Sequence, residues 1–305
     1  MLEVVLVSIA LALVFGWNNS SIAVGALTGV RLLTYRRATL LFSSAMFLGV
    51  VAEGWKMKPA LLLGGAPSGE AATTALAVST ALMLGSNIAA IPVSLSNIAT
   101  AAYVGAAYSA GQQISIDFLT RVVAAWVAAP LAVLAATPLL YSAVKRLASN
   151  MSLVTIDAFN RLAVYAVVFY VSYALAANNV SFILGLAREA GAYSSLLPLA
   201  LALACSLGVM LVGRGIMGMM AESLVVLSPQ KLLTGLFTAA TMLWLFTQLS
   251  IPVALTQNML GGFLGAALTT RIALVKAATL RKLIASWTLT TLAGLALAYT
   301  YVLLL

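Results

Sequence analysis

Trp17-Asn18-Asn19-Ser20-Ser21 and Ala177-Asn178-Asn179-Val180-Ser181 stand 160 residues apart in the chain. Ile91-Pro92-Val93-Ser94-Leu95-Ser96-Asn97 and Ile251-Pro252-Val253-Ala254-Leu255-Thr256-Gln257 stand apart by the same offset of 160. It also lays Gly25 over Gly185, Gly105-Ala106-Ala107 over Gly265-Ala266-Ala267, and Arg121 over Arg281. Apolar composition alone aligns scattered Leu and Ala. It does not place two Asn pairs and two Ile-Pro-Val turns in one register. Self-similarity at a fixed period marks a repeated structural unit, so the chain reads as a duplication: 1–147, a connector at 148–159, and 160–305.

The surroundings of these motifs are apolar. Of 305 residues 63% are hydrophobic and 8% charged, with mean hydropathy +1.09, where a soluble domain carries about a quarter charged residues. That excludes a solvated enzyme and a disordered chain. The sixteen bases outnumber the seven acids but are scattered between apolar runs, which excludes a nucleic-acid-binding stripe. There is no histidine and one cysteine, Cys205. Haem ligation by His, HExxH zinc chemistry, Ser-His-Asp catalysis and cysteine metal sites are therefore unavailable, and Cys205 reads as a packing residue. The apolar runs exceed the roughly ten residues of a barrel strand. The expected class is an all-α polytopic membrane protein.

Ten principal crossings are predicted: 1–30, 38–55, 71–91, 97–110, 122–144, 160–187, 198–213, 232–251, 258–270 and 283–305. The first run, 2–16, begins with Glu3 and lacks a basic flank, so it reads as a retained helix. Stretches 1–30 and 160–187 are long for one helix and carry the Asn pairs in mid-run. Stretches 97–110 and 258–270 are short and follow Pro92 and Pro252. This pattern predicts broken or re-entrant helices at midplane. Five crossings per half is an odd number, so the second copy is expected upside down. The charges agree. Arg31, Arg36 and Arg37 in 31–37 have only Arg188 beside Glu189 as counterpart, and Arg271, Lys276, Arg281 and Lys282 in 271–282 have only Asp117 and Arg121. Basic loops stay in the cytoplasm, which puts 31–37, 145–160 and 271–282 inside and both termini outside. Loop 56–70, with Lys56 and Lys58, falls outside and fits this rule less well.

Inverted repeats with interrupted helices are the usual build of a secondary transporter, with substrate bound where the breaks meet. The breaks here are rich in uncharged donors. Asn18, Asn19, Asn178 and Asn179 lie in the long runs; Ser94, Ser96, Asn97, Thr256 and Gln257 follow the prolines. A helix start after proline exposes N–H groups and carries roughly half a positive charge, so these nine residues are the candidate ligands of a tetrahedral oxyanion. Simpler readings stand beside this one. Serines and threonines in helices bond back to their own carbonyls, and Gly105 and Gly265 suit close packing. Trp17, Trp55, Trp126, Trp244 and Trp287 suit interface anchors or packing, Glu53 suits a headgroup contact, and Arg214 and Glu222 fall in a loop.

The residues resemble the inorganic phosphate transporter (PiT) family, which includes sulfate permeases. Its G-A-N-D-V-A-N-x-x-G-like signature is matched by 16–25 and 176–185, and its P-V-S-T-T-H-like signature by 92–97 and 252–257, with the later glycine at Gly105 and Gly265. The likeness covers nearly the whole chain. It departs at defined points: the family aspartates are Asn19 and Asn179, its later asparagines are Ile22 and Phe182, and its histidines are Asn97 and Gln257. The resemblance implies a secondary transporter in the cell membrane, multi-pass, moving inorganic phosphate by alternating access. Sulfate is the close alternative. In the family the aspartates are associated with cation coupling. A neutral amide binds Na⁺ less well than a carboxylate and carries no proton at physiological pH, so sodium coupling is not expected and the coupling ion stays open. A third reading is a non-transporting sensor or subunit, with Trp17, Ile22, Leu95, Phe182 and Leu255 plugging the midplane. An enzyme is not expected, because no general base or metal site falls in a core run. No cofactor and no nucleic acid are expected. The partners are phosphate or sulfate and the lipid bilayer, with a homo-oligomer left open.

Overall fold

The computed structural model describes residues 1–149, 151–192, 194–211, 216, 228–269 and 277–304, and every regular element among them is helical. The first half holds α1 (Leu2–Gly29), α2 (Tyr35–Glu53), a 3-10 turn (Pro59–Leu63), α3 (Gly69–Ile88), α4 (Leu95–Ser109) and α5 (Ile116–Ala148). In the second half α6 (Leu153–Leu175) runs through a π-helical turn (Ala176–Val180) into α7 (Ser181–Glu189). It continues with α8 (Leu197–Met210), α9 (Pro229–Gln248), α10 (Leu255–Leu268) and α11 (Ala277–Leu303). All ten apolar stretches are thus helical. Asn150, Arg214, Glu222, Arg271 and Lys276 lie outside the described residues.

Local chemistry sets the starts. Thr34, Ser68, Ser94, Ser115 and Ser152 each accept the N–H three residues on, the N-cap bond that satisfies an orphan donor of the first turn. The connector is shorter than expected: α6 begins at Leu153 and takes in Asp157, whose carboxylate meets Arg161 one turn on.

Two differences from the sequence reading matter. First, α1 runs unbroken through Asn18 and Asn19, and only the second copy is interrupted, by its π turn. Buried amides are compatible with a regular helix when another segment supplies their partners. Second, the paired stretches 71–91 and 97–110 form a hairpin. Ser115 N–H donates to Leu62 C=O at 2.8 Å, so the chain leaves α4 beside the point where it entered α3. The tip is the extended Ile91–Ser94 segment, reached through Ala90 in the left-handed region at φ 55. Arms α9 and α10 pack together likewise, Gly235 on Gly262, and Ser250 repeats the tip geometry at φ 58.

Exchanging the halves returns the same packing. Helix α1 lies on α8 as α6 lies on α2, α4 on α11 as α10 on α5, and α3 on α1 as α9 on α6. The close approaches are made by glycine. A Cβ on Gly105 would sit 2.4 Å from Leu295 O, and one on Gly265 would sit 2.4 Å from Leu134 O, so both are packing positions. Cys205 is buried beside Met46. Large apolar side chains such as Leu131, Leu139, Leu289 and Leu292 stay exposed along α5 and α11. A soluble surface does not tolerate that; a membrane protein requires it.

Candidate functional site

Asn18 and Asn178 each stand eleven residues before a helix end, Gly29 and Glu189. At 1.5 Å per residue that is about 16 Å, roughly half of a hydrocarbon core. Both side chains clip the hairpin of their own half. Asn18 Nδ2 donates to Asn87 Oδ1 at 2.5 Å and to Ile91 C=O at 3.2 Å, while its Oδ1 accepts Val93 N–H at 3.2 Å. Asn178 Nδ2 donates to Thr247 Oγ1 at 2.9 Å and to Ile251 C=O at 3.2 Å, and its Oδ1 accepts Val253 N–H at 3.3 Å. Each of the six groups is related to its counterpart by the offset of 160. The clip supplies partners to backbone groups that the Pro turns leave outside any helix.

A second set of bonds ties each tip to the other half of the chain. Trp126 Nε1 on α5 donates to Pro252 C=O at 2.9 Å, and Ser286 Oγ on α11, its counterpart by the same offset, donates to Pro92 C=O at 3.2 Å. Ser96 Oγ lies 2.7 Å from both Asn179 Oδ1 and Val253 C=O. Ser94 is spent locally: its Oγ accepts Asn97 N–H at 3.3 Å and donates to Asn97 Oδ1 at 2.9 Å. The nine candidates therefore gather around the meeting of two hairpin tips, but they do different things there.

The symmetry fails at one place. Ser96 and Asn179 satisfy each other, whereas their counterparts Thr256 and Asn19 do not. Asn19 Nδ2 and Thr256 Oγ1 are buried with no hydrogen-bond partner in the described protein. Thr256 lines a small cavity with Ile22, which is one turn from Asn19 on α1, and with Met259, Phe263 and Trp287. Trp287 is 7% exposed and its Nε1 is also unpaired. An unmet buried donor costs about 1–3 kcal/mol; two, on Thr256 and Trp287, belong to residues of this lining, which holds no acidic residue, and the third, on Asn19, is one turn from Ile22 in its wall. The cavity, about 10 Å³, has room for about one water, so a tetrahedral anion enters only if the tips part. Gln257 is half-buried.

Trp287, Asn258 and Glu53 stand outside the nine candidates. Trp287 is a cavity donor, not an interface anchor; its position in a long apolar helix gave no signal. Asn258 is 1% exposed with both amide atoms unpaired, one turn from Gly261, which packs on Pro130. Glu53 does not reach for headgroups. Its carboxylate accepts Tyr173 Oη at 2.9 Å, Trp244 Nε1 at 3.0 Å and Gln248 Nε2 at 3.2 Å, and Gln248 in turn meets Lys56. Trp244 and Gln248 flank Thr247, so this carboxylate and Asn178 hold the same last turn of α9. Ser20 and Ser21 bond back to Gly16 and Trp17 in their own helix.

Two helical hairpins, each clipped by an asparagine inside the bundle, belong to a helical protein with the long apolar helices of a membrane protein. The sequence model of the phosphate transporter family matches residues 154–298, and the resemblance read in the sequence is to that family. The chain is 24% identical over 298 residues to the Methanocaldococcus jannaschii "Putative phosphate permease MJ0630", covering 96% of this chain and 94% of that protein. Its fold is that of a solved structure described as the sodium-dependent phosphate transporter, with TM-score 0.83 over 99% of this chain and 98% of the other, at 18% identity. Family match and fold support phosphate transport and point to a transporter rather than an enzyme.

Proposed function

We propose that this chain is a secondary transporter of inorganic phosphate in the cell membrane, working by alternating access between two oppositely oriented halves. The observation that carries the reading is a cavity lined by Thr256 and Trp287, each with an unpaired buried donor, beside the turn of α1 that holds the unpaired Asn19 Nδ2. Donors without a nearby carboxylate suit an oxyanion, whose charge-assisted hydrogen bonds replace its hydration shell. Asn18, Asn178, Ser94 and Asn97 act one step back by holding the tips in register, and Ser96 with Asn179 forms the closed half of the site. Opening breaks the bonds that cross between the halves at the tips, those of Ser96, Trp126 and Ser286. The reciprocal packing of the halves and the opposite basic bias of equivalent loops support the inversion.

Sulfate is the second reading, favoured by the same donors, since a fully deprotonated dianion asks for no acceptor. Asn19 and Asn179 leave the site without the carboxylates that hold sodium best, so uptake is expected to proceed without a sodium gradient. The test is uptake of radiolabelled phosphate into proteoliposomes by counterflow, with unlabelled sulfate as competitor. Saturable phosphate uptake supports the reading. Phosphate exclusion with sulfate uptake replaces the substrate, and no saturable uptake of either overturns transport and leaves the sensor reading.

A further inference from the structure

A cavity of about 260 Å³ opens between the last turns of α5, the start of α6 and the start of α9. Its walls are apolar, with Leu140, Val144, Phe159 and Phe237 among them, and its polar edge is Asn160 and Gln230, joined by a 3.3 Å hydrogen bond. Two bases adjoin it in the chain. Lys231 follows Gln230, is 6% exposed and holds its Nζ 5.2 Å from the Tyr141 ring centroid. Lys145 follows Val144 and is exposed on the last turn of α5. Neither is in an ion pair among the described residues; the described pairs are Asp117 with Arg121 and Asp157 with Arg161. Ser228 makes no side-chain cap bond, so the first-turn N–H groups of α9 receive nothing from it.

Two neighbouring ammonium groups and the positive end of a helix dipole repel one another, and an anion between them removes that penalty. The adjacent groove asks for hydrocarbon. A ligand that answers both has an anionic head and an apolar tail. The basic bias assigns this end of the bundle to the cytoplasmic leaflet, where basic pockets between spanning helices take anionic headgroups.

We infer that this groove binds an anionic phospholipid, its phosphodiester on Lys145, Lys231 and the start of α9 and one acyl chain between α5, α6 and α9. The site is independent of the transported anion, because it lies at the end of the bundle and shares no residue with the hairpin tips. Each Lys near an anionic surface is worth about a factor of five, so two give a preference of about thirtyfold.

The experiment is native mass spectrometry of the full chain, equilibrated with equal phosphatidylglycerol and phosphatidylcholine in neutral detergent. Wild type is expected to retain phosphatidylglycerol at least tenfold over phosphatidylcholine. Lys145→Gln with Lys231→Gln brings the ratio to within about twofold of unity, and Ala163→Phe, which fills the groove, lowers retention of both lipids. Should the double variant not fold, Lys145→Gln alone, at an exposed helix end, is expected to lose about fivefold. A wild-type ratio near unity, or lysine variants that keep the preference, overturns the inference. Displacement of phosphatidylglycerol by millimolar inorganic phosphate also overturns it, since the bases would then hold a free anion. Phosphate counterflow in phosphatidylcholine vesicles reads the transport proposal separately.

Discussion

Adjacent asparagines with opposite duties make a sharp prediction. Asn18 makes three bonds, to Asn87, Ile91 and Val93, whereas Asn19 Nδ2 makes none within the described protein. Asn18→Leu deletes those three bonds and strands Val93 N–H and Ile91 C=O in a buried turn. At about 1 kcal/mol net per bond the loss is about 3 kcal/mol, more if the stranded groups find no water. For a chain of this size that corresponds to a melting shift of about 5 °C. Asn19→Leu removes an unmet donor, so its stability is expected to equal or exceed that of wild type, by up to about 1–3 kcal/mol. Anion binding reverses the order. Losing a hydrogen bond to a charged ligand costs about 1.5–3 kcal/mol, so Asn19→Leu weakens phosphate binding roughly tenfold to hundredfold. Thermal unfolding in detergent, followed by fluorescence, gives the first quantity, and isothermal titration with phosphate gives the second. Equal destabilisation by both substitutions, or full phosphate affinity in Asn19→Leu, would refute the division of labour.

Other expectations concern the framework. Glu53→Gln keeps the shape but replaces an ionised acceptor of three hydrogen bonds with an amide that must turn a donor toward one of them; a loss of about 2–3 kcal/mol is expected in the same melting assay. Ala90→Gly relieves a left-handed residue and is expected to gain about 1 kcal/mol. Ser250→Gly relieves the same geometry but loses the Ser250 Oγ bonds to Lys58 N–H and Lys56 C=O, so no net gain is expected; chemical denaturation of the pair separates the effects. Gly105→Ala and Gly265→Ala each push a Cβ to 2.4 Å from a carbonyl of the facing helix. Each is expected to cost about 1–3 kcal/mol, read as reduced folded yield and lower melting temperature.

Much of this architecture was legible in the chain because the duplication carries its own internal control. The Asn pairs and Ile-Pro-Val turns share one register, and every clip bond of Asn18 has its mirror at Asn178. The apolar runs located the ten helical stretches to within a few residues, apart from α5, α6 and α11, which extend further. The hairpins were less legible, since a run of about twenty apolar residues looks the same whether its chain continues across or folds back at a proline. The continuity of α1 through Asn18 was hidden because a distant segment satisfies the amide. Glu53 was misplaced for a related reason: its donors come from Tyr173, Trp244 and Gln248, more than a hundred residues away, and no local pattern announces them. The candidate residues were not sorted by the sequence, because Asn18 and Asn19 are identical as letters and differ only in what surrounds them.

The central claim is positional, and anomalous diffraction from crystals soaked in arsenate, a heavier analogue of phosphate, addresses it most directly. The account predicts an arsenic peak within hydrogen-bonding reach of Asn19 Nδ2, Thr256 Oγ1 and Trp287 Nε1, with the two tips moved apart to admit it. A peak elsewhere in the bundle, with these three donors still unpaired, would contradict it.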